Sequence, residues 1–169
     1  AVVGNEAGEI LLVQRSDSGV WLYPTGWADI GYSPAEVAVK EVAEETGIQC
    51  RVDGLLAVLD GMRLGFTRIP LYSLVFHCTA TGGELAAHPL ETSDVGWFAR
   101  DALPSPLAGF EQWGDMAFAA IAGQERPDRR ADLLHVDAEV GGDVVVEADR
   151  QRGVRSLVRR LEVRDPRDL

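Results

Sequence analysis

The sequence predicts an α/β domain in which a mixed β-sheet carries one helix between its strands and a second helix after them. Three observations support this: apolar runs separated by turns continue to residue 99, one well-marked helix interrupts them, and apolar residues at helical spacing follow at 111–122. At 169 residues and 46% hydrophobic content, the chain has the size of one globular domain with a real core.

The first strands are predicted at residues 1–3 and 10–14, joined by a turn that contains Asn5 and Gly8. Because the chain opens directly on a strand, we expect its N-terminus to be trimmed. Residues 21–34 hold two prolines and two glycines, which predicts a long loop. Further strands are predicted at residues 55–60, 70–78 and 95–99.

The helix after this loop has a clear start and stop. Ser33 is the predicted N-cap, Pro34 occupies the first helical position, and Glu36 completes a capping box with the serine. Gly47 is the predicted stop, since glycine readily adopts the left-handed conformation that ends helices.

The charge balance excludes some classes of protein. The net charge is −11, and before residue 125 six basic side chains face sixteen acidic ones. Such a body argues against broad binding to nucleic acid or to anionic membranes. No apolar stretch approaches the roughly 18 residues of a membrane helix, and two cysteines without a CxxC pair or a signal segment predict a cytoplasmic protein.

We divide the chain into a domain at residues 1–124 and a charged extension at 125–169. The extension has ten arginines against eleven acidic residues, with a predicted strand at 143–148 and a predicted helix at 153–163. Its apolar content favours an ordered segment over a disordered tail.

Three glutamates, Glu41, Glu44 and Glu45, fall within an arc of about 100° on the predicted helix, beside an arc of alanines and valines. A glutamate-rich solvated face is the ordinary interpretation. The capped start, the glycine-rich loop upstream and the glycine stop favour a binding site instead. Carboxylates at this density suit Mg²⁺ or Mn²⁺, which bring phosphate oxygens in as further ligands.

The stretch from Gly26 to Ile48 resembles the 23-residue signature of Nudix hydrolases. The positions in register are Gly26, Glu41, Val42, Glu44, Glu45, Gly47 and Ile48. The resemblance covers roughly residues 1–123 and implies an α/β/α sandwich, a divalent metal, and hydrolysis of a nucleoside diphosphate linked to another moiety. Two positions depart from the signature: Tyr32 replaces its first glutamate, and Lys40 replaces an arginine that orients a catalytic glutamate.

The resemblance also implies roles for individual residues. Glu41, Glu44, Glu45 and the carbonyl of Gly26 are expected to hold the metal, with Glu44 and Glu45 also serving catalysis. A base outside the signature is often a glutamate on a later loop, which makes Glu91 the candidate here. An ordinary loop carboxylate is the alternative for Glu91.

The loop WLYPTGWADIGYSP at 21–34, with GGE at 82–84 and ETSDVGWF at 91–98, resembles a Nudix subgroup that acts on ADP-ribose and CDP-choline. A diphosphate needs cations besides the metal, and aromatic faces stack on bases. The predicted substrate-binding residues are therefore Arg15, Trp27, Tyr32, Arg63 and Arg68. An ordinary surface role is the alternative for each arginine, and core packing is the alternative for Trp27. The expected partners are a small nucleotide and a second copy of the chain in a homodimer, with no membrane and no nucleic acid.

Other functions remain open at this stage. The same chemistry would suit a housecleaning pyrophosphohydrolase of oxidised nucleoside triphosphates. A ligand sensor that binds without cleaving is a third possibility, with the arginine-rich extension as a DNA-binding appendage. Hydrolysis of capped or 5′-triphosphate RNA is disfavoured by the acidic body.

Overall fold

The computed structural model describes residues 1–65 and 67–123. Their elements are β1 (Val2–Gly4), β2 (Ile10–Arg15), β3 (Trp21–Leu22), α1 (Pro34–Thr46), β4 (Ile48–Asp60), β5 (Tyr72–Gly83), β6 (Thr92–Phe98) and α2 (Phe110–Ile121). The predicted extension at 125–169 lies outside the described residues. Within the described ranges, neither helix is long and apolar enough to span a bilayer.

The six strands form one mixed sheet. The strand order is β3-β2-β1-β5-β4, and β6 pairs with β2. β1 runs parallel to β5, whereas β1–β2, β2–β3, β2–β6 and β4–β5 are antiparallel pairs. The prediction of a mixed sheet is therefore confirmed.

The two helices cover opposite faces of this sheet. Alternation along β2 sends Ile10 and Leu12 into one core cluster and Leu11 into another. The first cluster contains Trp113 and the rest of the buried face of α2, and the second contains Val42 of α1. Burial of one such side chain stabilises the fold by about 1.5–3 kcal/mol. The result is the α/β/α sandwich that the sequence predicts.

The start and stop of α1 are confirmed. The Ser33 side chain accepts the Glu36 N–H at 3.3 Å, and the Glu36 carboxylate accepts the Ser33 N–H at 2.7 Å. Gly47 ends the helix with φ of 73°, in the left-handed region.

Several strands differ from the prediction in extent: β5 runs to Gly83 instead of residue 78, and β6 begins at Thr92 instead of residue 95. β4 begins at Ile48 instead of residue 55, directly after the helix stop. Its first half alternates exposed Gln49 and Arg51 with half-buried Cys50 and Val52, which is the pattern of a half-buried strand and not an apolar run. The predicted loop at 21–34 also starts with a short strand, β3, because Trp21 and Leu22 pair with β2.

The glycine between α1 and β4 gives a test of this connection. A Cβ at Gly47 would overlap the Glu84 carbonyl oxygen, whereas Gly8, with φ of 77°, has open space around it. Both substitutions to alanine incur the left-handed backbone cost of about 1–2 kcal/mol. We expect Gly47→Ala to lower the free energy of unfolding by at least about 1 kcal/mol more than Gly8→Ala in urea denaturation. Equal losses would contradict the close approach of residues 47 and 84.

Candidate active site

The three glutamates of α1 lie in unequal environments. Glu45 is buried with 7% exposure, Glu41 is half-buried, and Glu44 is exposed. The expected uniform anionic edge beside a packed arc is therefore wrong. Glu45 is buried on α1 together with Val37 and Val42, and the loop before α1 contacts it through Thr25.

Glu45 contacts the loop that precedes α1. Its Oε2 accepts a hydrogen bond from the backbone N–H of Thr25 at 2.9 Å. The pKa of Glu45 is raised to about 7, chiefly by burial; the Thr25 N–H lowers it, and the negative charges of Glu41 and Glu91 add to the rise. A nearby cation would therefore stabilise the charged form of this carboxylate.

Glu41 lies against the backbone of the same loop. A Cβ on Gly26 would overlap the Glu41 carboxylate, so the close approach requires glycine. Burial raises the pKa of Glu41, helped by Glu44 and Glu91 and opposed by Lys40. The backbone of Thr25 and Gly26 and the carboxylates of Glu41 and Glu45 thus lie together, and we call this group the cradle.

Glu44 differs from the other two. Its carboxylate lies 3.3 Å from the ammonium of Lys40, and its side chain is 53% exposed. Lys40 is closer to Asp29 of the upstream loop, at 2.7 Å. The structure therefore places the predicted ligand Glu44 beside the cradle, with a cation already next to it.

A second loop brings Glu91 to the same end of α1. The carbonyls of Glu45 and Thr46 accept hydrogen bonds from the N–H groups of His88, at 3.3 Å, and Ala86, at 2.8 Å. The Glu91 carbonyl accepts the Ser16 N–H at 3.0 Å. Glu91 is exposed, yet its charge raises the pKa of both Glu41 and Glu45. The loop therefore places a third carboxylate close to the cradle.

The predicted substrate-binding residues lie in two regions. Arg15 pairs with Asp17 and is near enough for Glu45 and Glu91 to contribute to its raised pKa. Trp27 and Tyr32 lie on the loop before α1, at 74% and 53% exposure.

Arg63 and Arg68 lie in the connection between β4 and β5. Arg63 contacts Asp60 at 3.6 Å, and Arg68 is exposed. Their substrate-binding role stays a prediction.

The donor set fits a hard divalent cation in part. Across residues 1–65 and 67–123, no group of three His, Cys, Asp or Glu side chains is already arranged to hold a metal. The Glu41 carboxylate does lie beside the Gly26 backbone, and the Glu45 carboxylate accepts the N–H of the adjacent Thr25. Mg²⁺ is commonly bound by one or two carboxylates, with waters and substrate phosphates completing its shell. The cradle matches that kind of site.

Comparison with known families agrees with this geometry. The model of the family described as the NUDIX domain matches residues 1–118. The chain belongs to the Nudix family. Nudix hydrolases generally use divalent metal ions and act on small nucleotides, and the matched range contains all three glutamates and Glu91.

Individual relatives carry names from two substrate classes. This Nudix chain is 37% identical over 102 residues to YjhB of Bacillus subtilis, named as a proposed ADP-ribose pyrophosphatase, covering 59% of this chain and 48% of the relative. It is 30% identical over 141 residues to human NUDT18, an 8-oxo-dGDP phosphatase, covering 79% and 41%. It thus spans less than half of either relative.

Among solved structures, the Nudix chain is similar to a UDP-X diphosphatase. The TM-score is 0.63 at 30% identity, and the match covers 72% of this chain and 61% of the other. The Nudix fold predicted from the signature is therefore confirmed.

Sequence reasoning missed the polar groups that hold the cradle in place. Thr25 acts through its backbone N–H, which no side-chain pattern reveals. Thr92 is buried, and its hydroxyl lies 3.3 Å from the Glu45 carbonyl. Asp29 could have been found, since it is an acidic residue in the loop opposite the single lysine.

Adding one methyl group at Gly26 tests the cradle. Gly26→Ala would push aside the end of a flexible glutamate side chain, so we expect the free energy of unfolding to change by less than about 1 kcal/mol. Because Glu41 would lose its position, Mg²⁺ affinity measured by calorimetry is expected to fall at least about tenfold. The control is Gly54→Ala, where the new Cβ meets no atom within 4 Å. Unchanged Mg²⁺ affinity in Gly26→Ala would contradict the cradle.

The raised pKa of Glu45 predicts a pH dependence of stability. Its ordinary pKa is 4.5, so the folded protein holds this proton more tightly than the unfolded chain does. The resulting stabilisation is complete below about pH 4.5 and is lost as pH rises to about 7, with an upper limit of roughly 3 kcal/mol. Glu45→Gln removes this loss.

Thermal melting between pH 4 and 8 measures the effect. We expect the Tm of Glu45→Gln relative to the parent to increase across this window and to level off above it. Glu44→Gln is the matched control, because that carboxylate is exposed and paired. A Glu45→Gln curve parallel to that of the parent would refute the assignment.

Proposed function

We propose that this Nudix domain hydrolyses the diphosphate linkage of a nucleoside diphosphate derivative, such as ADP-ribose, CDP-choline or a nucleotide sugar. The products are a nucleoside monophosphate and a phosphorylated partner, and the metal is Mg²⁺, with Mn²⁺ as a substitute. The observation that carries the proposal is the pair of carboxylates, Glu41 and Glu45, held beside the backbone of Thr25 and Gly26 with the charge of Glu91 acting on both.

Each residue has a distinct part in this proposal. Glu41, Glu45 and the Gly26 carbonyl would hold the metal, which neutralises the diphosphate and polarises its phosphorus. Glu44 lies about one helical turn after Glu41 and would either bind the metal as well or serve as a base. Glu91, on the opposite loop, would accept the proton of the attacking water.

The charges of the domain favour a diphosphate linkage over a triphosphate. Of the six basic side chains before residue 125, five already form ion pairs with carboxylates: Arg15, Lys40, Arg51, Arg63 and Arg100. A nucleotide linked through both ends of its diphosphate carries about two negative charges, and a triphosphate carries up to about four. An acidic site with few spare cations tolerates the smaller charge better.

The names of two relatives support the same substrate class. The YjhB name refers to ADP-ribose, and the similar solved structure is that of a diphosphatase named for a UDP-linked compound. Trp27 and Tyr32 are exposed on the loop that follows Gly26 and are available to stack on a base. The predicted homodimer and cytoplasmic location stay predictions.

Housecleaning of oxidised nucleotides is the second candidate. Its support is the similarity to NUDT18, whose name refers to 8-oxo-dGDP. The same carboxylates would serve this reaction, and the two candidates differ in the moiety attached to the diphosphate.

A substrate panel separates the candidates. With Mg²⁺ at pH 8, we expect kcat/KM for ADP-ribose, CDP-choline or UDP-glucose to exceed that for 8-oxo-dGTP at least about tenfold, a difference of about 1.4 kcal/mol. Chromatographic separation of the nucleoside monophosphate from each substrate gives the rates. EDTA is expected to abolish turnover.

Glu45→Gln should lower kcat/KM by about two orders of magnitude or more, since it removes an expected metal ligand. Glu6→Gln, on the exposed turn after β1, is the matched control. Absence of turnover on every compound would contradict the proposed function. A higher kcat/KM for 8-oxo-dGTP would favour the housecleaning alternative.

A further inference from the structure

The two departures from the signature, Tyr32 and Lys40, meet in the fold. The Lys40 ammonium lies over the Tyr32 ring, 6.0 Å from its centroid. A cation over an aromatic face is attracted by the electrons of the ring. Where the signature would place a carboxylate near a guanidinium, this chain places an aromatic ring near an ammonium.

The distances show which group Lys40 serves. Its Nζ is 2.7 Å from Asp29 and 3.3 Å from Glu44. The closer partner lies in the loop between Gly26 and Ser33, and the farther one lies on the same helix as Lys40. The contact with Asp29 is therefore the stronger one, and it joins two separate segments.

Few contacts hold the loop at residues 26–33 in place, and the ion pair with Lys40 is one of them. Residues 26–33 are all exposed, so burial of apolar surface does little to hold them. Thr25, just before this stretch, donates its N–H to Glu45 and ties the start of the loop to α1. The hydrogen bonds from Tyr32 to Asp29 and from Ser33 to Glu36 are local. Among the described residues, Lys40 supplies the ion pair that ties the middle of the loop to α1.

We propose that Lys40 is a positioning residue that holds the 26–32 loop against α1 through its contacts with Asp29 and Tyr32. We call these two contacts the strap. This differs from the role that the signature implies for its arginine, which is to orient a catalytic glutamate. The strap fixes the loop that carries Trp27 and Tyr32. The consequence for substrate affinity rests on the proposed function, whereas the strap itself does not.

Limited chymotrypsin digestion tests the strap without a substrate. The enzyme cuts after aromatic residues, and mass spectrometry identifies cuts after Trp27 and Tyr32. We expect Lys40→Met and Asp29→Asn each to accelerate these cuts about two- to fivefold, the range that an exposed ion pair supports. The double variant should be no faster than the faster single one, because both changes break the same contact.

Two controls separate loosening of the loop from other effects. Arg100→Met breaks an exposed ion pair with Asp115 elsewhere and should leave the cuts after Trp27 and Tyr32 unchanged. Cuts after Trp113, which is buried and packs on Tyr23, report global unfolding and should not accelerate. At 0.5 M NaCl, the ratio of variant to parent rates should shrink toward one, since salt screens exposed pairs.

The kinetic arm uses a substrate from the panel. Asp29→Asn leaves the Lys40–Glu44 pair in place, so we expect KM to rise two- to fivefold with kcat within twofold, and Lys40→Met to match it. A kcat loss in Lys40→Met that Asp29→Asn does not share would assign Lys40 to Glu44 and overturn the proposal. So would parent-like cleavage of Lys40→Met, or a double variant whose effect is the product of the singles. If no compound in the panel is hydrolysed, the digestion still decides the strap.

Discussion

The buried carboxylate of Glu45 is the constraint around which the rest of the site is arranged. Burial and the nearby charges of Glu41 and Glu91 disfavour the charged form of this side chain. The backbone N–H of Thr25 offsets only part of this effect. The two core clusters on either side of the sheet contribute far more stability than this one group removes. The fold can therefore hold a carboxylate pair whose repulsion a divalent cation would relieve.

The same contacts that finish α1 also build the site. The last carbonyls of a helix lack partners within the helix, and here the N–H groups of Ala86 and His88 fill that need. Those residues belong to the loop that carries Glu91 and leads into β6. Capping the helix thus sets the position of Glu91 relative to Glu45.

Because the domain is acidic, its few basic side chains have many carboxylates to pair with. In the described part of the chain, five of the six basic side chains pair with an aspartate, as Arg51 does with Asp53 and Arg100 with Asp115. Lys40 is different, since it lies between the upstream loop and the helix of the glutamates. One lysine therefore links the segment that supplies Gly26 to the segment that supplies the carboxylates.

The sequence by itself determined the sheet with two helices, the limits of α1 and the spacing from Gly26 to the glutamates. These features depend on local rules: capping residues, turn residues and the helical period. Only the tertiary structure decided that Glu45 is buried while Glu44 is exposed. The period gives the angles between residues on one helix, but the packing of neighbouring segments sets how that helix is rotated. The partner of Lys40 is likewise a matter of where a loop lies in space.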